Sequence, residues 1–215
     1  MTSDEFNRLL ARFTLAAESG DGARFAALFT EDGVYHDYIY GAHAGRAEIA
    51  HMMQNLFHRD AGDDYRWEMF DGVCDGDLGY AWSLSSFTST VPEFEGRRVV
   101  IDGMSRFRLR DGLIAEYRES VNGGVAMAQL GVAPGRMERI LTRWAGWLKD
   151  RRETGAYLDR PAGAHARAIL ETGGAGEGDA EVGAYLKEAR EVFERSVELQ
   201  RELQLRLRAL APGEL

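Results

Sequence analysis

A carboxylate and a phenol lie two residues apart in the segment FTEDGVYHDYIYGAHAGRAEI, residues 29–49. A short aromatic strand is predicted over 34–39, followed by a glycine-bounded loop. Side chains alternate between the two faces of a strand, so Tyr35 and Asp37 share one face. Desolvation on an apolar face raises a carboxyl pKa towards neutral pH, where the group can exchange protons. Asp37 is therefore the first candidate for general acid–base chemistry.

Composition disfavours several other chemistries. Cys74 is the only cysteine, which excludes an internal disulfide and a cysteine-based zinc cluster. His51 and His58 lie seven residues apart on one predicted helix, but no carboxylate joins them at ligand spacing. We predict neither a metal site nor a cofactor.

Charge and hydropathy limit the expected partners. The net charge is −9, and residues 1–134 carry 12 basic and 21 acidic side chains, so nucleic acid is not an expected partner. The sequence contains no apolar run of membrane-spanning length and no signal-peptide pattern, so a cytoplasmic location without membrane contact is expected.

The elements that must position Asp37 follow from the hydrophobic periodicity. Three helices are predicted, over 3–19, from Asp21 to about residue 29, and over 44–57. From Tyr65 the period changes to two, which predicts four strands joined by hairpin connections, at 65–73, 78–90, 97–109 and 113–122. This order predicts an α+β domain, in which three N-terminal helices cover a cone-shaped, curled antiparallel sheet.

The sequence divides into a domain over residues 1–131 and a helical C-terminal extension over 132–215. Within the extension, an amphipathic helix is predicted over 136–150, and heptad spacing predicts a long helix over 179–210. Strand 78–90 has apolar residues on both faces, so one face needs a cover other than the domain's own helices. A homodimer is expected.

The order helix, helix, strand, helix and curled meander resembles the nuclear transport factor two-like superfamily. The motifs that carry the resemblance are FTEDGVY before the first strand and DGLIAEYRESVNGGVAMAQLG at the end of the sheet. The SnoaL-like polyketide cyclase branch is most similar, with the ketosteroid isomerases and limonene epoxide hydrolases as its relatives. The resemblance covers roughly residues 5–131, and it implies a pocket for a hydrophobic small molecule.

Individual functional residues of these relatives correspond to positions in this sequence. Against the ketosteroid isomerases, Asp37 matches the general base. The oxyanion-binding tyrosine of that family falls on Phe13, and its protonated aspartate falls near Met104. Both donors are absent, which argues against the same isomerisation by the same mechanism.

Against the limonene epoxide hydrolases, Tyr35 and Asp37 match the tyrosine and asparagine that hold water. The arginine and aspartate of that family's triad fall on Ser83 and Ser85, and its remaining aspartate falls on Asn122. Neutral side chains therefore replace the charged triad, so the resemblance implies the pocket and not that reaction.

The predicted site follows from the residue pattern together with the family resemblance. Its catalytic residues are Asp37, Tyr35 and Asn122, and its substrate-binding residues are predicted to be Phe13, Trp67, Ser83, Ser85, Phe87, Met104 and Arg118. In an alternative interpretation, Arg118 forms a structural ion pair with Asp37 and lowers its pKa.

The function predicted from this site is that of a cofactor-free isomerase, cyclase or dehydratase acting on a hydrophobic carbonyl compound. The alternative is a non-catalytic ligand-binding or dimerisation module of the same fold. Arginine outnumbers lysine by 24 to 2, which is typical of GC-rich bacterial genomes. In such bacteria, proteins of the SnoaL-like family that this sequence resembles often act in natural-product pathways, so the resemblance implies a role in bacterial natural-product metabolism.

Overall fold

The structure is a computed structural model that describes residues 1–62 and 64–172, together with residues 195, 198, 199 and 202. The chain forms two compact units, Met1–Leu148 and Lys149–Leu215. Most of the predicted heptad helix over 179–210 and the whole of segment 173–178 lie outside the described residues.

The first helix begins at a capping box. Helix α1 begins after Thr2, whose hydroxyl accepts the Glu5 backbone N–H while the Glu5 carboxylate accepts the Thr2 N–H. The helices of the first unit are α1 Ser3–Glu18, α2 Gly22–Ala26, α3 Arg46–His51, a π-helix Met52–Phe57, α4 His58–Ala61, α5 Gly123–Gln129 and α6 Pro134–Lys149. The second unit contains α7 Arg152–Leu158 and α8 Ala164–Thr172.

Six strands form one curled, unclosed sheet in the order β2-β1-β6-β5-β4-β3. The strands are β1 Phe29–Asp37, β2 Gly41–Ala44, β3 Arg66–Asp75, β4 Leu78–Thr88, β5 Arg98–Arg110 and β6 Leu113–Val121. The α+β architecture and the four predicted strands of the meander are confirmed. The sheet is not purely antiparallel, however, because β1 pairs with β6 in parallel.

Two local predictions in the segment 29–49 are wrong. Strand β1 begins at Phe29 and not at Val34, with an irregularity in its pairing with β6 between these two residues. The predicted glycine-bounded loop contains β2, which pairs antiparallel with the end of β1. Four residues, GAHA, carry no apolar alternation, so only their pairing with β1 makes them a strand.

An aromatic cluster forms the core between the helices and the sheet. Phe13 of α1 is fully buried at its centre, and the ring centroids of Phe25 and Trp67 lie 4.6 Å and 5.1 Å from its own. Tyr117 of β6 is another neighbour, at 5.1 Å. These rings fix the helices on the sheet.

A smaller apolar cluster joins α5 and α6 to the connection between β4 and β5. Its buried members are Phe94, Met127 and Val132, with Trp144 of α6 packed against them. Helix α6, which the sequence analysis assigned to the C-terminal extension, thus packs almost entirely within the first compact unit.

Gly79 of β4 offers a test of this packing. A methyl group at Gly79 would lie 2.5 Å from the Phe6 ring, which is fully buried and held edge-on against Phe107. We expect Gly79→Ala to lower the free energy of unfolding by about 1–3 kcal/mol, because the core is overpacked.

The matched control for this test is Gly146→Ala in the last turn of α6, where a methyl group meets open space. Here the better helix propensity of alanine is expected to leave stability unchanged or raise it by up to about 1 kcal/mol. Chemical denaturation measures both variants, and equal effects would contradict the packing described.

Candidate functional site

The concave face of the sheet encloses a cavity of about 300 Å³. Residues of β1, β3, β4, β5 and β6 line its interior, while α5, α6 and the connection between β4 and β5 cover it. Much of the lining is aromatic, and the rings belong to Tyr35, Tyr38, Tyr40, Phe57, Tyr65, Trp67, Phe87, Phe94 and Trp144. An apolar cavity with few polar groups is the usual form of a small-molecule site.

Asp37 lies at the end of β1, where the chain turns into β2. Its Oδ1 atom accepts the backbone N–H groups of Ile39 and Tyr40, each at 2.6 Å. Its carboxyl group lines the cavity, and the residue is partly buried. Burial raises the pKa of Asp37, while the two N–H donors and nearby His43 act in the opposite direction.

A second carboxyl group, Glu119 of β6, lines the same part of the cavity. The parallel pairing aligns His36 with Arg118, and so brings the next residues, Asp37 and Glu119, onto one inward face. Burial and the charge of Asp37 raise the pKa of Glu119 to about 8, against smaller opposing effects of Tyr117 and the Tyr38 backbone. Two close carboxyl groups cannot both ionise readily in such a site.

Tyrosines support this pair of carboxyl groups. The Tyr117 hydroxyl donates to Glu119 Oε2 at 3.2 Å and lies 3.0 Å from the Ser105 hydroxyl oxygen. Tyr35 stacks on Tyr117, with centroids 4.7 Å apart, and both rings are buried. Burial, and next the charge of Glu119, raise the pKa values of Tyr35 and Tyr117 well above the ordinary tyrosine value. These phenols remain neutral hydrogen-bond donors.

The remaining charged groups of the lining already have partners. Asp60 accepts the Tyr40 hydroxyl at 2.7 Å and pairs with Arg59 at 2.6 Å. The hydrogen bond to Arg59 is the largest cause that lowers the Asp60 pKa. Arg136 pairs with Glu93 at 2.5 Å.

Six of the residues predicted from sequence line the cavity. They are Asp37, Tyr35, Trp67, Ser83, Ser85 and Phe87. The roles assigned to them remain predictions, but the structure brings these side chains together around one space.

Four predicted residues lie elsewhere. Phe13 is fully buried in the aromatic core beneath the cavity, because the apolar stripe of α1 faces the sheet. Met104 and Asn122 border a depression on the outer face of the sheet, and Asn122 caps α5 by accepting the Val125 N–H at 3.2 Å.

Arg118 is the fourth residue, and it lies on the face of β6 opposite to Glu119. There it bonds to Glu116 at 2.6 Å. The alternative of an Arg118 to Asp37 ion pair therefore does not match this geometry. The prediction placed the even-numbered residues of β6 inward, whereas the inward residues are Tyr117, Glu119 and Val121.

Glu119 was missed by the sequence analysis although a signal existed. Tyr117 and Val121 are apolar, whereas the intervening positions Arg118 and Ser120 are polar. This alternation assigns the odd-numbered positions, and with them Glu119, to the inward face.

The described part of the chain shows neither a metal-binding cluster nor a membrane-spanning helix. In residues 1–62 and 64–172, no three His, Cys, Asp or Glu side chains converge in a group able to hold a metal ion. Over the same residues, no helix is long and apolar enough to cross a membrane.

A curled sheet that wraps an aromatic cavity and is covered by helices defines the nuclear transport factor two-like class of α+β proteins. The family model of the SnoaL-like domain matches residues 10–117, half of the chain. The chain therefore belongs to the SnoaL-like domain family, which confirms the resemblance inferred from the sequence. The sequence matches no curated protein.

Solved structures share the fold at low sequence identity. TsrD from Streptomyces laurentii is 18% identical with a TM-score of 0.54, and the match covers 62% of this chain and 99% of TsrD. A hypothetical protein with a ketosteroid isomerase-like fold from Catenulispora acidiphila, in complex with trimethylamine, is 16% identical with a TM-score of 0.52. That match covers 58% of this chain and 93% of the other.

The raised pKa of Glu119 predicts a pH dependence of stability. Between its ordinary value of 4.5 and about 8, the folded state holds a proton that the unfolded state has lost. The free energy of unfolding should therefore fall as pH rises from about 5 through 8, and the raised pKa of Asp37 acts in the same direction.

Urea denaturation at several pH values between 5 and 9 measures this slope. Glu119→Gln removes the titrating group, so the slope should become shallower. Glu68→Gln makes the same chemical change at an exposed position of β3 and should retain the slope of the natural protein. A slope unchanged in Glu119→Gln would show that Glu119 titrates normally.

Proposed function

We propose that this protein is a cofactor-free enzyme, an isomerase, cyclase or dehydratase, that moves a proton on a hydrophobic carbonyl compound. The observation that carries the proposal is the pair of carboxyl groups, Asp37 and Glu119, side by side in an aromatic cavity. A site that holds one acidic and one basic carboxyl group near neutral pH has both partners of general acid–base catalysis.

Hydrogen bonds and burial divide the roles between the two carboxyl groups. Asp37 Oδ1 accepts two backbone N–H groups at 2.6 Å, which favour its ionised form. At Glu119, burial and the charge of Asp37 outweigh the hydrogen bonds from Tyr117 and the Tyr38 backbone and raise the pKa to about 8. The shared proton therefore resides on Glu119. Asp37 acts as the base that removes a proton from the carbon next to the carbonyl group.

The carbonyl oxygen then develops negative charge, and Glu119 donates a hydrogen bond or its proton to it. Return of the proton from Asp37 to a different carbon, with any proton held by the oxygen passing back to Glu119 as the carbonyl group re-forms, completes an isomerisation. Loss of a hydroxyl group from the adjacent carbon, protonated by Glu119, completes a dehydration. Ser83 and Ser85 of β4 provide further hydrogen bonds to the substrate.

One observation favours the alternative, a ligand-binding module without catalysis. The bonds from Ile39 and Tyr40 to Asp37 Oδ1 stabilise the turn between β1 and β2, so Asp37 also has a structural role. In a binding module this role would be sufficient.

Proton exchange at carbon separates the two functions without knowledge of the natural substrate. A panel of hydrophobic cyclic and aromatic ketones is incubated with the protein in D₂O, and NMR measures deuterium incorporation next to the carbonyl group. We expect Asp37→Asn to lower the exchange rate by about 10²–10⁴-fold, because the base is lost. Asparagine retains the Oδ1 acceptor, so the turn is preserved.

The control is Asp102→Asn, which makes the same change on an exposed position of β5 that borders the outer depression. It should exchange at the rate of the natural protein. Exchange that persists in Asp37→Asn would overturn the enzymatic proposal in its present form.

The proposal includes a homodimer in the bacterial cytoplasm. The outer face of the sheet exposes large apolar side chains, namely Val73, Tyr80, Trp82, Val100 and Met104. A second copy of the chain would cover this face by isologous contact.

Light scattering coupled to gel filtration tests the dimer. The double variant Val100→Glu and Met104→Glu should elute as a monomer, because burying two added carboxylates is unfavourable. Leu15→Glu, at an exposed position of α1, is the control and should remain dimeric. A monomeric natural protein would exclude this assembly.

A further inference from the structure

The cavity has an imbalance of charge. Its described lining carries three carboxyl groups and one guanidinium, that of Arg136. Asp60 and Arg136 are paired with Arg59 and Glu93, respectively. Within the described part of the chain, no arginine or lysine forms an ion pair with Asp37 or Glu119. Within the described residues, no arginine or lysine therefore balances the negative charge of this pair, and the basic group near it is the imidazole of His43 beside Asp37.

The aromatic walls accentuate this imbalance. Nine aromatic side chains line the cavity, among them Tyr35, Tyr65 and Trp67. The faces of such rings carry partial negative charge and attract cations. Carboxyl groups and ring faces thus favour the same kind of ligand, whereas they disfavour an anion.

We propose that the cavity selects organic cations, small molecules that carry a protonated or quaternary amine nitrogen on an apolar body. Such a ligand occupies the site in place of the carbonyl substrate, because a cation that ionises Glu119 removes the proton donor of the proposed reaction. The cation lies against Asp37 and Glu119, and its apolar groups contact the surrounding rings. A volume of about 300 Å³ limits the ligand to small molecules.

Cation binding is linked to the proton shared by the two carboxyl groups. A cation beside Glu119 favours its ionised form, so binding near neutral pH releases up to one proton. The affinity should therefore rise by up to about tenfold per pH unit as pH approaches 8, and level off above it. The titratable or charged groups facing the pair or lining the cavity are Tyr35, Tyr38, Tyr40, His43, Asp60, Tyr65, Tyr117 and Arg136.

Calorimetric titration with three probes of similar shape tests the charge preference. The probes are benzyltrimethylammonium, its neutral isostere neopentylbenzene and the anion phenylacetate, with competition used for the weakly soluble neutral compound. We expect the ammonium to bind at least about tenfold more tightly than either other probe. Equal or tighter binding of the neutral or anionic probe would overturn the inference.

The proton linkage is measured in two buffers of different ionisation enthalpy at pH 6, 7 and 8. Proton release should accompany binding of the ammonium, and Glu119→Gln should abolish both the release and the pH dependence. His43→Gln should retain them, which separates the titration of Glu119 from that of the nearby imidazole. A pH dependence retained in Glu119→Gln would contradict the role of this residue.

Variants of the first carboxyl group complete the test. Asp37→Asn should weaken ammonium binding by more than about tenfold and leave binding of the neutral probe unchanged, which also shows that the cavity is intact. Asp102→Asn should bind all probes normally. Unchanged ammonium affinity in Asp37→Asn would overturn the inference.

The outcomes distinguish this inference from the proposed function. Ammonium binding with proton release but no carbon-bound deuterium exchange would retain the cation site and reject the enzyme. Exchange of ketone protons without ammonium binding would retain the enzyme and reject the cation preference.

Discussion

The parallel pairing of β1 with β6 is the interaction on which the site depends. It stacks Tyr35 on Tyr117 and places Asp37 and Glu119 on the same inward face. Burial raises the pKa of each carboxyl group, and the charge of Asp37 raises the pKa of Glu119 further. The acid–base properties of the site thus follow from the register of two strands that are distant in sequence.

The rest of the first unit maintains the conditions that this pairing requires. The rings around Phe13 fix α1 against the inner sheet face, so the strands keep their curvature and Tyr117 keeps its position. On the other side, the cluster of Phe94, Met127 and Val132 holds α5 and α6 over the cavity. Exclusion of water by this cover strengthens each electrostatic interaction within the cavity.

The sequence was sufficient to predict the helices and strands that depend on local hydrophobic periodicity. The stripe of α1 and the alternation of the four meander strands predicted the elements, and the resemblance predicted the cone. Strand β2 was missed because GAHA becomes a strand only through its pairing with β1. Phe13 was placed in the pocket by correspondence with a relative, whereas its position on the α1 stripe assigns it to the core.

Glu119 escaped prediction for a different reason. The alternation along β6 indicates that its odd-numbered positions face inward, but it does not show that Glu119 lies beside Asp37, because that depends on the pairing of β6 with β1. The predicted residues Arg118 and Asn122 are the complementary, outward-facing set. The contact of Tyr117 with Tyr35 reports this pairing, and it joins two segments whose proximity no local pattern encodes.

The position of Glu119 bears on the two hydrogen-bond donors of the ketosteroid isomerases that this sequence lacks. Phe13 and Met104 replace the hydrogen-bond donors of the ketosteroid isomerases, which argued against that mechanism. A donor need not come from those positions, however, because any inward position of β6 close to the end of β1 faces the same space. Under the proposed function, a neutral carboxyl group at Glu119 supplies a donor beside Asp37 from another strand position. Acid–base chemistry would then be retained with different residues, as expected when function resides in the site and not in the fold.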